Sequence, residues 1–409
     1  MIALGVSGLN SQENNFQVYG FITDSTSGEA LIGANVFIRE TGQGMATDNN
    51  GYYVLSGIAA DQAELVVSYV GYQQYYQKLD FASSSSQKLD VSLKPETIEL
   101  MQVDVTAEEI ERLNRIEPSR VNLSPRILKA QPSLAEPDIF RTIQSLPGVL
   151  TTSEFSTGLV IRGGNTDQNL ILLDGITVYN PSHLGGLFSN FIVDAVKDAE
   201  LIKGGYNAEY GGRLSAVLDI RSREGNRNKF EGSSSVSLLT AQTTLEGPFL
   251  NGAWLLAGRR TYFDKVLPYV TDSFDLPYYF YDLQGHVFTD LNEKDRISLS
   301  FYRGVDDLEF QDLDLDSDWG NKTISLAYRR VFNEKIMGNF LAANSHFYTR
   351  FGLGGEEGIQ EYNPLTDQTI SGDLAYFYNQ DLNVFFGAQA KSLNIRYDSK
   401  SVSYTHLRA

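Results

Sequence analysis

Three patterns of apolar and polar residues follow one another along the chain. From Phe16 to Leu93 the runs are short and alternating, broken by turn residues: FQVYGFIT, DSTSGEAL, ANVFIRE, TDNNGYYVL, ELVVSYVGY and KLDVSL. In ANVFIRE, Val36 and Ile38 fall on one side of an extended chain and Asn35, Phe37 and Arg39 on the other, and Leu65, Val67 and Tyr69 repeat that period of two. Two half-buried sheets sharing those faces make a small all-β sandwich. A linker follows from Lys94 to Glu136, with Pro95, Pro118, Pro125 and Pro132 and one helix-compatible stretch, AEEIERLNR. Within it, Met101 to Ala107 alternates apolar and polar residues of good strand propensity.

From Glu136 the period changes. Pro137 sits at a helix N1 position, Ile139, Ile143 and Leu146 share a helical face, and Pro147-Gly148 ends the helix. LVIRGG, NLILLDGITV, DAELIKGG and SAVLDIRSR are brief strands bounded by glycines, so this second domain is α+β.

After Lys229 alternating runs of about ten residues take over, the signature of a transmembrane β-barrel. Tyr281, Leu283 and Val287 oppose Asp282, Gln284 and His286; Ile297, Leu299 and Phe301 oppose Arg296, Ser298 and Ser300; Leu341, Ala343 and Phe347 oppose Asn344, His346 and Arg350. A soluble sandwich predicts the same alternation. Connection lengths separate the two, because short ones (Asn251-Gly252, Asn292 to Asp295, Asn333 to Lys335) alternate with long ones (Thr261 to Pro277, Gly304 to Gly320, Gly352 to Gly372). Periplasmic turns and extracellular loops produce that parity. About nine strands precede Asp398, against the ~22 of barrels that enclose a plugged lumen, and no final strand closes on an aromatic residue. The sequence therefore reads as an amino-terminal fragment with a truncated barrel.

Composition narrows this picture without redirecting it. The chain has 409 residues, 42% of them hydrophobic, with 23 Tyr and 23 Phe, enough to fold as more than one domain. No apolar run reaches eighteen residues, so a spanning helix is excluded and a barrel is the remaining route into a membrane. A net charge of -18 argues against nucleic acid as a partner. The absence of cysteine removes disulfides, thiolate metal sites and a Cys nucleophile. Ile2 to Gln12 resembles the end of a secretory signal without its basic region, the alternative being a plain tail over 1–15.

Candidate chemistry is sparse. Asp48, Asn49, Asn50 and Gly51 suggest part of a calcium loop, but the later acidic ligand is missing and a tight turn fits better. Asp312, Asp314, Asp316 and Asp318 recur at every second residue and would share one face if extended, each ~7 Å from the next. Such carboxylates do not converge on a cation without a turn, so they are weak metal candidates and a solvated acidic loop is the better reading. His183, His286, His346 and His406 lie far apart, none has Glu at the third position after it, and no zinc or peptidase site follows. No cofactor and no enzymatic activity are expected.

Two stretches resemble known families. The run G-x-I-T-D-x-x-x-G-E-x-L-x-G-A-N-V-x-I with T-D-N-N-G-Y-Y and S-Y-V-G-Y resembles the carboxypeptidase regulatory-like domain. DIFRTIQSLPGV from Asp138, VIRGGNTDQNLILLDGITVYNPSHLGGLFSNF from Val160 and AELIKGGYNAEYGGRLSAVLDIRSREGN from Ala199 resemble, in order, the plug of TonB-dependent receptors. The plug motif comprises Arg162, Gly163, Gly164, Asp174, Gly175, Lys203, Gly204, Gly205, Tyr210, Gly211, Gly212 and Arg213, and His183 belongs to its Asn-Pro-x-His-Leu segment as a structural residue. Arg162, Asp174, Lys203, Glu209, Arg213, Asp219 and Arg221 alternate in sign and would pair with a polar lumen and with each other.

The resemblance implies a mainly β protein: a β-sandwich over 16–95, a linker over 96–135, an α+β plug over 136–226 and the first part of an incomplete antiparallel transmembrane β-barrel over 227–409. It implies a TonB box at Gln102, Val103, Asp104, Val105, Thr106 and Ala107, captured as an added strand by a periplasmic TonB-type energiser; plain linker is the alternative. The implied setting is the Gram-negative outer membrane, with the sandwich in the periplasm, lipid around the barrel and a scarce solute as ligand. A surface binding protein is the competing function: Tyr52-Tyr53 and Tyr75-Tyr76 would stack on a glycan, or the sandwich would meet a surface lipoprotein. The plug sequence differs from the form associated with starch-utilisation glycan transporters, and the cargo is not legible.

Overall fold

The computed structural model describes residues 16–82, 84–96, 120–130, 136–151, 156, 158–270, 277–355, 358–379 and 382–401. The candidate TonB box, the AEEIERLNR stretch, the signal-like segment and His406 lie outside them. The chain divides into two units, 1–102 with 331–338 and 374–386, and 103–330 with 339–373 and 387–409.

In the first unit the period-two pattern becomes eight strands: β1 Phe16–Asp24, β2 Asn35–Ile38, β3 Gly44–Ala46, β4 Tyr52–Ile58, β5 Gln62–Ser68, β6 Tyr75–Asp80, β7 Ser86–Lys88 and β8 Val91–Leu93. One sheet runs β4-β1-β7 with β8 also on β1, and the other β3-β2-β5-β6. Val18, Ile22, Val36, Ile38, Leu55, Leu65 and Val67 fill the space between them. KLDVSL, expected as one strand, is split between β7 and β8, which pair with successive parts of β1. Asp48 does form a tight turn, its carboxylate accepting from the Asn50 and Tyr52 amides. Tyr52 and Tyr53 are both buried, so that pair is core rather than a sugar platform, whereas Tyr76 is exposed.

Gly20 marks the tightest place in the sandwich, since a Cβ there would collide with the Leu89 carbonyl, the group that accepts the Tyr53 hydroxyl. Backbone cannot step aside as a side chain can. Gly20→Ala should therefore destabilise the sandwich by about 2–3 kcal/mol, read as a lower urea midpoint, and an unchanged midpoint would refute the close approach.

The second unit begins with β9 Arg120–Leu123, α1 Pro125–Ala130 and α2 Ile139–Gln144. Asp138 caps α2 through the Arg141 amide, so Pro137 stands ahead of the cap rather than at N1. The short acidic side chain satisfies an orphan donor that proline in that place cannot. Next come β10 Val149–Thr151, β11 Leu159–Ile161, β12 Leu170–Leu173, β13 Ile176–Thr177, β14 Ser182–His183, β15 Phe188–Ser189, β16 Val196–Ile202 and β17 Val217–Ser222. The main sheet has the order β13-β12-β17-β16-β9. Its core joins Ile139, Phe140, Ile143, Phe191, Leu201, Leu218 and Ile220. Asp174 (φ 52) and Gly175 (φ 79) make the two-residue turn between β12 and β13, whose left-handed pair matches the strand twist.

A meander of nine strands follows: β18 Glu231–Val236, β19 Thr240–Phe249, β20 Gly252–Thr261, β21 Tyr278–Asp290, β22 Asp295–Phe310, β23 Leu315–Asn333, β24 Ile336–Leu353, β25 Ile359–Phe377 and β26 Asn383–Ile395, with a short β27 Asp398–Ser401 beside β25. A helix, α3 Phe263–Val270, lies in the β20–β21 connection. No helix among the described residues is long and apolar enough to cross a membrane.

Inward and outward faces follow the alternation. Asp282, Gln284, Ser300, Tyr302, Thr323 and Ser325 are buried, while Leu283, Leu299, Ile324 and Leu326 are exposed on the other side. β24 departs from expectation: Ser345 is buried against the plug, with Leu341 on the same face and Phe340 on the exposed one. The polar plug backbone, not lipid, selects that register. Two of the three expected long connections are also mostly strand. β22 and β23 pair out to Phe310 and Leu315, and β25 starts at Ile359. Their Asp, Gly and Ser residues imitate a loop, but the backbone there is hydrogen-bonded between strands.

Candidate functional site

Polar residues forced into the interior must find partners, and in the second unit they do so between the plug and the sheet. His183, on β14, is fully buried. Its Nδ1 lies 2.7 Å from Asp306 Oδ2, and its Nε2 2.9 Å from both oxygens of Asp282. The imidazole stacks on Phe280 at 4.0 Å. A neutral imidazole has one N–H and presents a lone pair to the second carboxylate, whereas the imidazolium donates to both.

Asp282 also accepts from Tyr302 Oη at 2.7 Å and from Arg259 Nε at 2.9 Å. The Arg259 guanidinium reaches on to Glu136 Oε1 at 2.6 Å and to the Ser189 carbonyl at 2.8 Å. Glu136 takes the Thr240 hydroxyl at 2.6 Å, while Asp306 takes the Tyr278 hydroxyl and the Leu184 amide. Three carboxylates thus face one guanidinium and one imidazole, and a protonated His183 cuts the excess negative charge from two to one.

Burial by itself would lower the His183 pKa, but Asp282 and Asp306 outweigh it and hold the imidazolium up to about 9. Because that value lies above the ordinary 6.5, the stabilisation is complete below about 6.5 and is lost as pH rises through about 9. Hydrogen exchange in the Ser182 to Asn190 segment, corrected for its intrinsic pH dependence, should lose protection above pH ~9. His183→Gln should flatten that step, and an identical step in the variant would refute the imidazolium.

Two further polar layers tie plug to sheet. Glu224 contacts Lys197 at 3.6 Å and Arg296 at 3.2 Å, Asp290 binds Arg296 and Arg227 at 2.6 and 2.7 Å, and both guanidiniums lie over the Phe288 ring. Burial would raise the Glu224 pKa, but Lys197 and Arg296 turn the net shift well below the usual carboxylate range. Elsewhere Tyr179 donates to Asp367 at 2.9 Å, and Lys391 reaches Thr177 and Asp367 at 3.1 and 3.3 Å.

The plug-motif residues mostly serve the plug itself. Asp174 accepts from the Ser222 amide and hydroxyl, Lys203 donates to the Pro147 carbonyl, Tyr210 approaches Asp219, and Asp219 pairs with Arg221. The Arg162 guanidinium lies against Gly204, and Arg213 sits over Tyr179. Gly163, Gly175, Gly204, Gly205 and Gly212 have positive φ. Gly164 instead lets Ser215 approach, and Gly211 shows neither constraint. Outside this set, Glu136, His183 and Glu224 make ion pairs from the plug to the strands.

The aspartate run does not gather. Asp312 lies in a 3-10 turn, Asp314 has φ 44, and Asp316 and Asp318 lie on β23, where Asp318 pairs with Arg350 at 2.8 Å. Among the described residues no group of three or more His, Asp or Glu could hold a metal ion.

Residues 18–105 match the CarboxypepD_reg-like domain and residues 123–217 the TonB-dependent receptor plug domain. TonB-dependent receptor P26 of Formosa agariphila is 29% identical over 219 residues, half of this chain and 20% of that protein. TonB-dependent receptor SusC of Bacteroides thetaiotaomicron is 28% identical over 239 residues, 54% of this chain and 23% of that protein. The siderophore receptor PirA from Pseudomonas aeruginosa shares the fold at a TM-score of 0.51 and 16% identity, over 69% of this chain and 51% of that structure. The chain spans about a fifth of these curated relatives and half of that solved structure.

Proposed function

This chain belongs to the TonB-dependent receptors through its plug and amino-terminal domain, and from that membership we propose that it binds a solute at the outer membrane and admits it when an energiser pulls on the plug. The observation that carries this reading is the buried junction of Glu136, His183, Arg259, Asp282 and Asp306, which joins the plug to the inward face of a strand meander. Polar contacts interspersed with small apolar clusters, such as Ile192 and Ala195 on Leu255 and Ala257, suit a body that must be held and then moved. The domain limits proposed are 16–95 for the sandwich, 96–119 for the linker, 120–226 for the plug and 227 onward for the barrel; the expected linker to 135 is shortened because β9 pairs with β16 and Leu123 and Leu128 enter the plug core. The sandwich is assigned to the periplasm, and the energiser's strand to Gln102 through Ala107.

The test leaves the cargo open. Medium depletion by cells with and without the receptor gene, each with and without a protonophore, should reveal a solute whose removal needs both the gene and the proton gradient. A broad panel showing no such solute overturns the proposal.

A further inference from the structure

The outer face of the meander carries two basic side chains that have no ion-paired acid among the described residues. Arg303 on β22 and Lys322 on β23 are direct cross-strand neighbours, and both are exposed. The adjacent pair, Tyr302 and Thr323, is buried on the opposite side, so Arg303 and Lys322 point away from the plug. Like charges placed opposite each other on paired strands repel. Among the described residues neither is ion-paired; Arg303 lies 5.9 Å from the centre of the Tyr281 ring. The next acids up this face, paired Asp307 and Asp318, stand four residues further along, ~13 Å away, and Asp318 is occupied by Arg350.

Their height along the strands is informative. Arg303 lies eight residues beyond Asp295, the first residue of β22 after the short turn. At ~3.3 Å per residue and a tilt near 40°, that is a rise of about 20 Å, and the reach of a long basic side chain brings its head close to the ~25 Å height of an apolar barrel band. Just below, Phe301 pairs with Ile324 and Leu299 with Leu326, on the same outward face. The pair therefore stands at the upper edge of an apolar strip, where acyl chains end and headgroups begin.

We propose that Arg303 and Lys322 jointly bind the phosphate of an outer-leaflet lipid headgroup. The guanidinium fork matches two phosphate oxygens and the ammonium supplies a point charge for a third, relieving the repulsion between them. The acyl chains run down over Phe301, Ile324, Leu299 and Leu326. This rests on the outer-membrane reading above.

The full chain in neutral-detergent micelles would be offered phosphatidic acid or diacylglycerol, and retained lipid counted by native mass spectrometry. Phosphatidic acid should be retained preferentially, and Arg303→Gln with Lys322→Gln should weaken retention about tenfold or more. Lys294→Gln, in the turn at the far end of β22, should change nothing. Equal retention of both lipids, or an unaffected double variant, overturns the site alone. Displacement of the lipid by inorganic phosphate at equal concentration also overturns it, because the pair would then be a free-ion site. A chain that stays in the aqueous phase and retains neither lipid overturns the barrel reading with it.

Discussion

Asp282→Ala should unseat the plug, raising the population in which its Ser182 to Asn190 segment is detached by about 200- to 5,000-fold. Asp282 takes hydrogen bonds from His183, Arg259 and Tyr302 in a site closed to water. Truncating it leaves an imidazolium and a guanidinium buried beside fewer anions, and breaking a buried ion pair from one side costs about 3–5 kcal/mol. That penalty falls on the seated state alone, since a released plug returns both cations to water. Faster exchange in the segment, with protection of the α2 and β16–β17 core unchanged, is the expected pattern. Cells carrying the variant should admit bulky antibiotics that wild-type cells exclude. A double cycle with His183→Ala should show coupling above about 1 kcal/mol. Wild-type protection in Asp282→Ala would mean that the junction bears no load.

Part of the local architecture is readable from the sequence, and nearly everything that joins distant segments is not. The alternation of β2 places Val36 and Ile38 in the core and that of β5 Leu65 and Val67, although Val66 is buried as well, while NLILLDGITV, expected as one strand, is broken by the left-handed pair Asp174-Gly175. β3 and β6 escape notice, since a three-residue edge strand and a run of Tyr, Gln, Lys and Asp carry little pattern. His183 is recognisable only as part of a plug segment. Its partners lie 99 and 123 residues further on, and no spacing rule links a histidine to carboxylates supplied by two other strands. Polar residues facing inward on β20, β21 and β22 were the available signal. They mark a wet or paired lumen, but the choice between those states belongs to tertiary packing. Glu136 is similar: it stands just ahead of α2, yet its role emerges only where Arg259 meets it.

That position gives the second large effect its mechanism. Val103→Pro with Val105→Pro should abolish energy-dependent uptake while leaving solute binding at the cell surface intact. An added strand is held by main-chain hydrogen bonds, and each proline removes one donor and restricts the residue before it. Two such losses in a seven-residue strand should weaken capture by the periplasmic domain of a TonB-type energiser by at least about tenfold. Between Ala107 and Glu136 the chain passes through β9, the edge strand paired with β16, and α1, so a pull meets the edge of the plug sheet before it meets Glu136 and the buried junction. Once β9 has peeled from β16, tension should strip Glu136 from Arg259 before it reaches His183, so the junction opens from its amino-terminal end. Glu136→Gln, which keeps the shape and removes the charge, should lower the force needed for plug release in single-molecule pulling without altering capture of the strand. Proline variants that take up solute normally would assign capture to another part of the linker, and an unchanged release force in Glu136→Gln would remove the junction from the path.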